Sequence, residues 1–117
     1  MTYLAALYEG NNELRIIEKE IPRLGVKDVL IRVAAATICG TDLHILEGNF
    51  HALPPVVIGH EFAGYIEDIG SEVSSVQPGD LVTVEPHLFC GLCKYCRNGK
   101  EHLCVDKKGF GVALDGG

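Results

Sequence analysis

A chain of 117 residues, 47% of them hydrophobic, can bury roughly two thirds of its surface as one domain without covalent staples. A net charge of −6 and the lack of a broad basic face exclude a nucleic-acid-binding surface, and no apolar run is long enough to span a membrane. The N-terminal "MTYLAALYEG" has no basic region followed by a long apolar stretch, and the cysteine count of five is odd. Both features favour a reducing, cytoplasmic setting over a secreted disulfide framework.

In chain order, "TYLAALY" and "ELRIIEKE" flank Gly10-Asn11-Asn12, residues able to reach positive φ, which predicts a hairpin. "DVLIRVAAAT" is a strand with Val29, Ile31, Val33 and Ala35 on one face. A short helix follows Cys39: Thr41 or Asp42 caps its start, Leu43, Ile45 and Leu46 give it an apolar side, and Gly48 ends it. Pro54-Pro55 then breaks the chain. "EFAGYIEDIG" reads as a strand, and Pro78-Gly79-Asp80 as a turn into the strand Leu81-Val82-Thr83-Val84. Short strands punctuated by glycine and proline predict a mainly β fold, a barrel or a sandwich. The final "GFGVALDGG" reads as an untethered loop. As a dinucleotide fingerprint it fails, because Leu114 stands where the third glycine belongs and no βαβ unit surrounds it.

The densest chemistry is "CGLCKYCRNGKEHLC", which holds Cys90, Cys93, Cys96 and Cys104. Two disulfides, a reactive thiol system or a metal would each use four thiols. The two-residue gaps between Cys90, Cys93 and Cys96 favour four sulfurs converging on one tetrahedral zinc. Lys94, Arg97, Lys100, Lys107 and Lys108 against Glu101 and Asp106 make this lobe locally basic, which offsets the charge of four thiolates on a divalent ion. The fifth cysteine, Cys39, belongs with His60 and Glu61 by ligand type: thiolate, imidazole and carboxylate suit a zinc site with an open position. From the residues alone, a lone cysteine such as Cys39 is more often a small buried hydrophobe, and His60-Glu61 an ordinary surface pair.

Four motifs then line up in order. "GHEFAGYIEDIGSEV" resembles the signature of the zinc-containing alcohol dehydrogenases; "CGTDLH" resembles their first catalytic-zinc segment; "VQPGDLV" resembles their Pro-Gly-Asp turn; and the four-cysteine stretch resembles their structural zinc loop. Threonine, polyol and secondary-alcohol dehydrogenases are the sub-groups most similar. The resemblance implies that residues 1–117 form a GroES-like catalytic domain, a partly open β-barrel with one or two short helices and a zinc lobe at about 86–108. An NAD(P)-binding Rossmann domain would follow after 117. It implies one catalytic zinc on Cys39, His60 and Glu61, with Glu61 a ligand or just behind, and one structural zinc on Cys90, Cys93, Cys96 and Cys104. Thr41 and His44 would relay a proton while a hydride passes between a secondary alcohol, polyol or threonine-like substrate and NAD or NADP. The complete protein would be a homo-oligomer acting on a small-molecule alcohol, and this chain alone would be inactive. A zinc-stabilised binding module without redox chemistry is the alternative; it would have no use for Cys39, His60 and Glu61 together.

Overall fold

The computed structural model describes all 117 residues. Strands β1 (Thr2–Gly10) and β2 (Glu13–Glu20) form the expected hairpin, with Gly10, Asn11 and Asn12 all at positive φ in the turn. Strand β3 (Val29–Thr37) leads through Cys39 into helix α1 (Gly40–Leu46). Then come β4 (Val56–Val57), β5 (Glu61–Ile69), β6 (Leu81–Thr83), β7 (His87–Leu88) and β8 (Lys108–Gly109), with two single 3-10 turns, Cys96–Asn98 and Glu101–Leu103, between β7 and β8.

The strands form open sheets that do not close into a barrel. One has the order β2-β1-β4, a second β3-β5-β6, and β7 pairs with β8 alone. That last pair closes the base of the four-cysteine loop. Register shifts between Leu30 and Ile31 and between Val33 and Ala35 interrupt the β3–β5 ladder. Each bulge re-aims the side chains that follow it. The extra residue is Glu67 of β5 at the first shift and Ala34 of β3 at the second, so the single face expected for Val29, Ile31, Val33 and Ala35 breaks between Val33 and Ala35, both of which are exposed.

The helix is capped two residues before Thr41 and three before Asp42. Cys39 is its N-cap, in extended conformation, and Asp42 reaches back from the third helical position to accept the Cys39 N–H at 3.0 Å. At the other end Gly48 turns to φ 75°, its N–H donating to Ile45 O at 3.1 Å while the Asn49 N–H donates to His44 O at 2.8 Å. This pair of bonds is a Schellman stop. Of the expected apolar side, Ile45 is wholly buried, whereas Leu43 stays 55% exposed. Ile45 packs with Tyr8 and Val56, tying α1 to β1 and β4.

This core is small. The accessible surface of 8006 Å² exceeds the about 6,200 Å² usual for a monomer of 12.7 kDa. The shape is a slab, 40 × 39 × 22 Å. No helix is long and apolar enough to cross a membrane.

Candidate functional site

Two clusters of metal-ligating side chains stand out. In the first, the sulfurs of Cys90, Cys93, Cys96 and Cys104 all lie within 4.8 Å of one another, and none is in a disulfide. Cys90 Sγ and Cys96 Sγ are 4.0 Å apart, close to the about 3.8 Å that tetrahedral zinc–sulfur bonds of 2.3 Å impose. Backbone N–H groups point at the sulfurs: Cys93 N and Leu92 N to Cys90 Sγ at 3.3 and 3.4 Å, Cys96 N to Cys93 Sγ at 3.5 Å, and Cys90 N to Cys104 Sγ at 3.3 Å. Such donors favour thiolates over thiols. The N–H groups of Cys96 and Val105 hold the Cys93 thiol down to about 6, while desolvation pushes Cys96 up to about 12. A set of four sulfurs with N–H donors already aimed at them fits one tetrahedral cation.

The second cluster is assembled from distant parts of the chain. Cys39 caps α1, while His60 and Glu61 stand where the chain enters β5, and their ligand atoms also lie within 4.8 Å of one another. Asp42 joins the two halves. One carboxylate oxygen accepts the Cys39 N–H; the other, Oδ1, faces His60 Nδ1 at 3.5 Å, and both of these atoms are buried without a hydrogen-bond partner. With Nδ1 turned to a carboxylate, Nε2 is the nitrogen available to a metal, an arrangement common among metal-ligating histidines. The orphaned buried pair, beside a thiol and a carboxylate, fits a zinc ion.

Glu61 pairs across the sheet with Thr37, whose hydroxyl donates to Glu61 Oε2 at 2.6 Å. That bond, helped by Cys39 and His60, holds the Glu61 carboxyl below its usual pKa against the effect of burial. Nothing in the sequence singled out Thr37, because the β3–β5 pairing that brings it to Glu61 is non-local. Thr41 lies beside Cys39, with Oγ1 3.7 Å from Sγ. His44 sits one turn further along, 62% exposed, with Nδ1 3.8 Å from Glu47 Oε2; no hydrogen bond joins it to Thr41. Thr37, His60 and Glu61 line an open groove of about 430 Å³ together with Thr83, Val84 and Pro86.

The tail departs from the sequence reading. "GFGVALDGG" is docked: Gly109 pairs with His87, Val112 O accepts the Leu53 N–H at 2.9 Å, and Gly116 N donates to Val57 O at 2.8 Å.

A family model for the alcohol dehydrogenase GroES-like domain matches residues 25–117. An L-threonine 3-dehydrogenase from Caldanaerobacter subterraneus subsp. tengcongensis is 48% identical over 105 residues, 86% of this chain and 30% of that protein. Among solved structures, an alcohol dehydrogenase from Escherichia coli CFT073 complexed with NADH superposes with a TM-score of 0.91 at 41% identity, covering 99% of this chain and 34% of that one. The cobalt- and zinc-bound thermostable alcohol dehydrogenase from Pyrobaculum aerophilum gives 0.87 at 35% identity, covering 100% and 37%. The chain spans about a third of the length of these relatives.

Proposed function

We propose that this chain, which belongs to the alcohol dehydrogenase GroES-like domain family, supplies the metal-holding half of a zinc-dependent oxidoreductase. In this reading the complete protein moves a hydride between a small secondary alcohol, polyol or threonine-like substrate and NAD or NADP. The observation that carries it is the convergence of Cys39, His60 and Glu61 at the edge of an open groove. A non-catalytic binding module would need the four-cysteine lobe alone.

Zinc bound there supplies Lewis acidity, which lowers the pKa of an alcohol hydroxyl towards neutrality. The chain's residues do the rest. Cys39 and His60 hold the ion, and Asp42 keeps the His60 ring oriented from behind. Glu61, restrained by Thr37, would add a third donor, an oxygen, or a nearby negative charge. Three protein donors would leave a zinc ion one coordination position for a substrate, whereas the lobe's four sulfurs would complete theirs. Alanine, phenylalanine, valine and proline side chains along the groove suit the carbon skeleton of a small substrate.

Alcohol oxidation also releases a proton. We assign its receipt to the Thr41 hydroxyl, beside Cys39, and its exchange with solvent to the exposed His44. The cofactor would be bound by a Rossmann domain beyond residue 117. The relatives' threefold greater length and the large exposed surface of this slab support that arrangement.

The test uses the complete protein. Metal analysis should find two zinc ions per chain. Cys39→Ser should remove one of them and lower NAD(P)-linked alcohol oxidation by about a thousandfold or more, as loss of several kcal/mol of transition-state charge stabilisation requires. Full turnover by Cys39→Ser would refute the assignment.

A further inference from the structure

The segment that carries His60 into its place is held on both edges. On one side β4 pairs with β1, Leu7 opposite Val57 and Tyr8 opposite Val56, and the Ile58 N–H donates to Ala6 O at 3.0 Å. On the other side the tail acts as an extra strand. Asp115 Oδ1 accepts the Val57 N–H at 2.9 Å, and Gly116 returns its own N–H to Val57 O at 2.8 Å. Both backbone groups of Val57 are thereby committed to the tail. The second Asp115 oxygen takes the Lys19 ammonium from β2, so the same carboxylate ties the tail, β4 and β2 together.

Contact continues to the residue before His60. Gly59 lies at φ 107°, and the Gly117 N–H donates to its carbonyl at 3.4 Å. A Cβ at Gly116 would meet Gly59 O at 1.9 Å, and one at Gly59 would meet Gly117 O at 2.7 Å. The backbones approach too closely there for any side chain. Two residues separate Val57 from His60, so the direction in which the imidazole leaves the sheet is fixed by what fixes Val57 and Gly59.

We infer that Asp115 is a positioning residue for the metal cluster, acting through the Val57 N–H to hold His60 against Cys39 and Asp42. This rests on the proposed reading of Cys39, His60 and Glu61 as metal ligands. It also gives "GFGVALDGG" a role: it resembles a nucleotide-binding loop only in its glycines, which serve close backbone packing. Burial pushes the Asp115 carboxyl up, but the Lys19 and Val57 N–H contacts outweigh it and keep the group below its usual value. It is therefore an anionic acceptor throughout the neutral range.

Two conservative variants of the complete protein separate the Val57 contact from charge. Asp115→Asn keeps an oxygen at the same reach and loses the charge beside Lys19; Asp115→Glu keeps the charge and displaces the oxygens by one methylene. With zinc retained in the lobe, cobalt(II) is titrated into the other site and followed by its thiolate charge-transfer band, assigned by its loss in Cys39→Ser. Asp115→Asn should stay within about threefold of the wild-type affinity, and Asp115→Glu should be weaker by about tenfold or more with an altered band. Thermal melts that match wild type in both show that they are folded, so a general loss of stability does not produce this order. Equal affinities, or the reverse order, would overturn the role given to Asp115. A wild-type protein without a Cys39-dependent band would instead overturn the metal reading on which that role depends.

Discussion

The lobe sulfurs come from fifteen consecutive residues, Cys90 to Cys104, whereas Cys39 and His60 are carried together from a helix start and a strand entrance 21 positions apart. In the lobe, N–H groups of the same loop orient the sulfurs, and only the short β7–β8 pair closes its base. The second cluster needs β3 paired to β5, α1 anchored through Ile45, and β4 held by the tail. Its donors are mixed and one side opens on a groove. A closed set built from local chemistry suits a structural ion; an open one built from long-range contacts can be adjusted for substrate, at the cost of depending on many parts of the fold.

The largest way to break this contrast is Cys96→Ser. The Cys96 sulfur lies within 4.8 Å of the other three, and desolvation pushes its thiol up to about 12. Its substitution should remove the lobe's metal, lowering zinc content by one per chain and leaving amides between 90 and 104 unprotected in hydrogen exchange. The Cys39-dependent cobalt band should persist. Coupled loss of both ions would show that the two sites are not the independent units their architecture describes.

What was legible in the sequence follows the same division. The hairpin was readable because Gly10-Asn11-Asn12 can adopt positive φ between two strand-like runs, and the lobe because its ligands are close in sequence. The helix was readable in its stop at Gly48 but not its start, since cysteine is an uncommon cap and Asp42 serves from within the first turn. Thr37 and Asp115 were invisible. Each acts through a partner fixed only by pairing, Thr37 with Glu61 across β3–β5 and Asp115 with Val57 58 residues away. The bulge at Ala34 of β3 defeated simple alternation in the same way, because a shift of one residue exchanges the faces.

A sharper probe of the second cluster is Asp42→Ala. The side chain is 8% exposed and serves both the Cys39 N–H and the His60 ring. Its removal should weaken metal at this cluster by about 10–100-fold and lower folding stability by about 1–2 kcal/mol through the lost reciprocal cap. Lobe zinc should be unchanged. Cobalt titration and thermal melting read the two effects separately, and an unaltered cobalt affinity would mean that Asp42 only caps the helix.

The smallest expected effect tests how the open cluster sets its carboxylate. The Thr37 hydroxyl is the largest influence lowering the Glu61 pKa from 4.5, followed by the opposing effect of burial and the favourable contacts from Cys39 and His60. A depressed carboxylate contributes stability that is present above its unfolded-state pKa and fades as pH falls through the lower folded-state value. Thr37→Val removes the hydroxyl while keeping a branched side chain suited to the strand, so the Glu61 titration should move upward toward 4.5. Because Glu61 is exposed, the accompanying change in the acid limb of the unfolding curve should be slight. Carboxyl-carbon NMR titration of the metal-free protein resolves the shift directly. The carboxyls of Glu101 and Asp106, in the lobe, serve as the internal control. An unmoved Glu61 titration would show that Cys39 and His60 alone set the charge of this carboxylate, and that Thr37 contributes only to the wall of the groove.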